Sequence, residues 1–130
     1  MCKILLWLLP VVDIFMLPRV IRYYGSLGVQ VPWGHARYGL VERWVGYLPV
    51  GFFLGWFAGF WTSLLVAFLV FIIIGPFELY LMCRGTKPWK FFGGKPFELV
   101  TKIFLLEGFN AMGYYVLGTL LAVLTGMIFP

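Results

Sequence analysis

GFFLGWFAGFWTSLLVAFLVFIII, residues 51–74, is the stretch on which the fold turns. It sits inside a run from Val45 to Phe77 that contains no charged side chain. At about 1.5 Å of rise per residue, one helix of this length crosses a hydrocarbon layer of ~30 Å with some tilt. Two crossings and a turn would need more chain. The sequence therefore predicts a single transmembrane helix over residues 48–75.

The surrounding composition agrees. Of 130 residues, 62% are hydrophobic, 21% aromatic and only 12% charged, and the mean hydropathy is +0.96. A water-soluble domain of this size could not cover so much apolar surface with half the usual complement of charge. An all-α integral membrane protein is expected.

A second transmembrane helix is predicted over residues 109–129, FNAMGYYVLGTLLAVLTGMIF, which is uncharged and long enough. The N-terminal run, residues 4–18, is shorter and is interrupted by Pro10 and Asp13. Runs of that length are more often embedded than spanning. It is read as a membrane-embedded segment and a candidate third span. Lys3 before an apolar run imitates a secretory signal, but no small-x-small cleavage site follows, so the segment is expected to be retained.

Two basic connectors remain. Residues 19–44 hold Arg19, Arg22, Arg37 and Arg43; residues 76–108 hold Arg84, Lys87, Lys90, Lys95 and Lys102. With one span between them they are expected on opposite sides of the membrane, a near balance that leaves orientation open. The tetrapeptide PFEL occurs twice here, at Pro76–Leu79 and Pro96–Leu99. Proline costs no hydrogen bond in a first helical turn, and a glutamate two residues later suits the positive end of the helix dipole. Each copy is thus read as a helix start: the first ends or kinks the long span at Gly75 and begins a short helix, the second begins an interfacial helix.

Three glycines, Gly51, Gly55 and Gly59, recur every fourth residue and so share one helix face. Such a face lets another backbone approach closely, and it is read as a helix-packing interface. Its partner is left open between another subunit, a second copy and this chain's own last helix. The loop with Arg84, Lys87, Trp89, Lys90 and Lys95 suits lipid headgroups, a bound phospholipid such as cardiolipin included. Asp13 within an apolar run needs a counter-charge, and Arg19, Arg22 or a partner chain is expected to supply it.

Catalytic chemistry finds little footing. His35 is the single histidine, and with Cys2 and Cys83 it makes no metal or haem spacing. Both cysteines are read as free, apolar-packed thiols. No phosphate loop, nucleophile elbow or paired catalytic carboxylates occur, and charge confined to membrane-flanking loops argues against nucleic acid. The expectation is a noncatalytic accessory subunit without a cofactor, packed among other subunits of a hetero-oligomeric membrane complex. A respiratory or ATP synthase assembly of the mitochondrial inner membrane is favoured over the bacterial inner membrane. Alternatives are a homo-oligomeric pore, a viral membrane protein, or an anchor subunit contributing to a quinone or haem site.

Overall fold

The computed structural model describes Trp7, Leu9 and residues 12–128, and every regular element among them is helical. Helix α1 is Asp13–Ser26, opened by a carboxylate where first-turn amides favour negative charge. It ends at Gly28, whose φ of +94° lets the chain turn so that the Val29 amide reaches the Tyr24 carbonyl at 2.9 Å. Positions 4–6, 8, 10 and 11 of the expected embedded segment lie outside the described residues. Its remainder continues as helix past Pro18, so positions 19–26 belong to α1 rather than to a connector.

Helix α2 (Trp33–Val41) follows Pro32 and runs without a break through a π-helical segment, Glu42–Tyr47, into α3 (Leu48–Ala58). The widened turns end just ahead of Pro49, whose ring crowds the carbonyl four residues back and removes one helical hydrogen bond. Helix α4 is Phe60–Cys83, and α5, Phe97–Ile128, follows a loop that contains a 3₁₀ turn at Lys90–Phe92. Both α4 and α5 are long and apolar enough to cross a membrane.

The expected span over residues 48–75 is in fact two helices. Between α3 and α4 stands Gly59 alone, at φ +88° and ψ 170°, a conformation that L side chains avoid. The chain reverses there. Gly51 packs on Tyr115 and Gly55 on Thr119, so α3 runs parallel to α5. Ser63 meets Tyr115 and Thr119, whereas Phe71 and Gly75 meet Phe104, so α4 runs antiparallel to α5. A stretch expected to be too short for two helices and a turn thus holds a reversal, because the turn takes a single glycine.

This reversal brings both basic connectors to one end of the bundle. There the His35 and Phe91 rings lie 4.8 Å apart, and the Lys102 ammonium sits 5.5 Å from the Tyr23 ring. The expectation of opposite sides is therefore corrected. So is the reading of the first PFEL: α4 continues through Gly75 and Pro76 to Cys83. Ending the helix in apolar surroundings would orphan several backbone groups, whereas one interior proline orphans about one. The second copy does start a helix, with the Val100 amide bonded to the Pro96 carbonyl at 3.1 Å. The interfacial helix and span expected after it form one rod, α5.

Candidate functional site

The polar interior is built on a stripe along α5 in which Glu107, Asn110, Ala111, Tyr114, Gly118, Thr119 and Ala122 recur at spacings of three and four. Such residues share a face. That face meets α1 and the π segment at one level and the glycines of α3 at the next.

At the first level lies Asp13, fully buried. Arg43 donates to it from Nε at 2.8 Å and from Nη2 at 3.2 Å, and Tyr114 donates from its hydroxyl at 3.0 Å. Asn110 completes the cluster. With its amide nitrogen toward the Trp7 carbonyl (3.1 Å), its oxygen accepts from Trp7 Nε1 (3.0 Å) and Arg43 Nε (3.3 Å). The guanidinium also lies 5.5 Å from the Trp7 ring centre. A buried carboxylate needs its remaining lone pairs filled as well as its charge, and this cluster does both.

The expected partners of Asp13 are corrected here. Arg19 is exposed, and Arg22 turns its Nε toward the Pro18 carbonyl. On a helix only residues three or four apart face one another; six and nine places put these arginines elsewhere. Nothing in the sequence near Asp13 marks Arg43, because the pairing crosses from one helix to another.

At the second level the glycine face is explained. A Cβ on Gly51 would collide with the Tyr115 carbonyl, and one on Gly55 would stand 2.9 Å from Thr119 Cα. From the other side, a Cβ on Gly118 would come within 2.8 Å of the Phe52 amide nitrogen. The backbones thus touch, as small residues permit. The Thr119 hydroxyl donates to the Gly51 carbonyl at 3.0 Å and lies 2.8 Å from Ser63 Oγ. Tyr115 donates to the Ser63 carbonyl at 2.8 Å, tying α4 to the same seam. The neighbour of Gly51 and Gly55 is the chain's own last helix. Gly59 is not in the seam: no atom lies within 4 Å of its would-be Cβ, and its glycine serves the reversal.

Beside the polar cluster, at the charged end, a cleft of about 490 Å³ opens among α1, α2, α4, α5 and the basic loop. Glu42, Glu78 and Glu107 line it, with His35 and Tyr24. Burial lowers the His35 pKa, favouring neutral imidazole. In the loop, Arg84, Lys87 and Lys90 are exposed, and Lys95 is partly buried. Arg84 holds the Tyr80 hydroxyl at 3.0 Å. Trp89, expected at lipid headgroups, is partly buried and forms a wall of the cleft. Among the described residues no cluster of histidine, cysteine and acidic side chains could hold a metal. Comparison with protein-family models, with curated proteins and with solved structures gives no match.

Proposed function

We propose that this chain is a noncatalytic subunit that spans a membrane and is held within a larger membrane assembly. One observation carries the membrane part. On α4, Trp61 is 79% exposed and Tyr80 is 55% exposed, and the apolar window of this helix is only 11% buried within the chain. Their nineteen-residue separation corresponds to roughly 28 Å along a helix, close to the thickness of a bilayer core. Amphipathic aromatics favour the two interfaces, and Phe68, Ile72 and Ile73 present apolar surface between them. A core helix of a water-soluble protein would be covered over that length.

Support for the assembly is the surplus of outward aromatics around the Gly59 corner, Phe53, Trp56, Phe57 and Trp61, which the bundle leaves uncovered. Aromatics in such number suit neighbouring helices better than acyl chains alone. The basic loop suits an anionic lipid such as cardiolipin, in keeping with an energy-converting membrane, the mitochondrial inner membrane first. Native mass spectrometry of the tagged protein, extracted in mild detergent, tests the proposal. Several unlike chains are expected; a single repeated chain, or this chain alone, overturns it.

A further inference from the structure

Arg43 keeps one nitrogen that the pairing with Asp13 leaves unused. The residue is only 8% exposed, and its Nε and Nη2 both donate to the carboxylate. Nη1 makes no hydrogen bond among the described residues, yet protein does not close it off. It lies beside Gly39, one helical turn nearer the charged end, where an added Cβ would stand 3.2 Å from it. Gly39 and Arg43 both line the cleft. Buried donors are seldom left without an acceptor, so Nη1 marks where an occupant's oxygen belongs.

The rest of the lining narrows the class. An ammonium would find only donors at Nη1, and an anion would meet the carboxylates of Glu42, Glu78 and Glu107. A neutral hydroxyl suits both, accepting from Nη1 through its oxygen and donating its proton to a carboxylate. Glu107 is placed for this, one turn from Asn110, whose oxygen accepts from Arg43 Nε. Trp7, Phe71, Trp89 and Phe104 offer aromatic faces to a ring. The cleft also opens sideways: Tyr38, Val70 and Ile74 line it while 66%, 47% and 52% exposed. Val70 stands midway between Trp61 and Tyr80 on α4, so an occupant can enter from the hydrocarbon. We propose that the cleft binds a membrane-dissolved quinol, with its ring among the aromatic side chains and one hydroxyl between Arg43 Nη1 and Glu107. Its tail leaves past Val70 and Ile74 toward lipid. The site rests on the membrane placement proposed above and not on the assembly. Its volume lies within the range of small-molecule sites.

The test uses the full chain in phosphatidylcholine nanodiscs under argon. Decylhydroquinone, its dimethyl ether and dioctanoylglycerol are titrated in turn, and the ligand bound in excess of empty discs is measured. One saturable site per chain is expected for the hydroquinone. It should bind at least tenfold tighter than the ether, which lacks the donors, and than the glycerol, which lacks the ring. Gly39→Ala sets a methyl against Nη1 and is expected to weaken binding at least tenfold with an unchanged helical spectrum. Glu107→Gln is expected to weaken it severalfold. Equal binding of either control compound, or indifference to either variant, overturns the proposal. Failure of the chain to enter the discs overturns the membrane placement and the site together. Entry without saturable binding overturns the site alone.

Discussion

Arg43 grips Asp13 with two hydrogen bonds across thirty positions of chain, from a π-helical turn to the first residue of α1. Removing one partner of such a buried pair strands a charge, whereas removing both leaves an apolar contact. Asp13→Ala is therefore expected to cost about 3–5 kcal/mol of unfolding free energy. The double replacement Asp13→Leu with Arg43→Met is expected to be more stable than either single change. Thermal unfolding in detergent, followed by circular dichroism, distinguishes the two.

Two glycines should respond in opposite senses to one added methyl. At Gly51 the methyl meets the backbone of Tyr115, which can yield only by parting α3 from α5, and Gly51→Ala is expected to cost about 1–3 kcal/mol. At Gly34 nothing lies within 4 Å, and Gly34→Ala should stabilise α2 by up to about 1 kcal/mol. Equal effects in the same assay would mean that the α3–α5 seam is not this close.

Thr119→Val keeps the shape and deletes the hydroxyl that joins the Gly51 carbonyl to Ser63. Hydrogen bonds between membrane helices average about 0.6 kcal/mol and reach about 1.7. A loss in that range is expected by steric trapping in bilayers, with the partner Ser63→Ala adding less than its own single effect.

His35 supplies a pH dependence. Its folded pKa is depressed by burial from 6.5, so below that value the unfolded chain binds more protons than the folded one. The stability it contributes is whole above about pH 6.5 and declines as pH falls from there toward the folded pKa. Melting temperatures of wild type and His35→Gln should therefore converge, or cross, between pH 7.5 and 5. A constant difference would contradict the assignment.

The reversal at Gly59 predicts sidedness. In a background without native cysteines, Gln30→Cys and Thr86→Cys should react with a membrane-impermeant maleimide from the same face. Thr62→Cys should react from the other. The face with Gln30 carries the arginines and lysines of both connectors, so it should be the one from which translocation starts. Labelling of Gln30 and Thr86 from opposite faces would restore an unbroken span over residues 48–75.

How much of this could be read from the sequence depended on how local each feature is. The presence of two helices apolar enough to span a membrane, the glycine face at Gly51 and Gly55, and the helix start at Pro96 are properties of neighbouring residues, and each was legible; the bounds of α4 and α5 were not. The reversal was not. A glycine in phase with two others looks like packing surface, and only its backbone angle reveals that Gly59 turns the chain. Pro76 misled in the other direction, because its local preference for a first turn was outweighed by the cost of opening a helix in apolar surroundings. Asp13 was recognised as needing a counter-charge, but Arg43, Asn110 and Tyr114 come from distant segments. The stripe Glu107, Asn110, Tyr114, Gly118 was not read from the sequence, because four different residue types spaced three and four apart show a common role only once their partners on other helices are seen.

The corner between α3 and α4 also bears on biogenesis. Its flanks, Ala58 and Phe60, carry no charge, nor does any residue from Trp44 to Phe77. The two rods can therefore enter a bilayer together as a closed wedge, tip first, without dragging a solvated charge through the hydrocarbon. A lysine written at position 58 or 60 would stall that entry before any contact in the finished bundle could be disturbed.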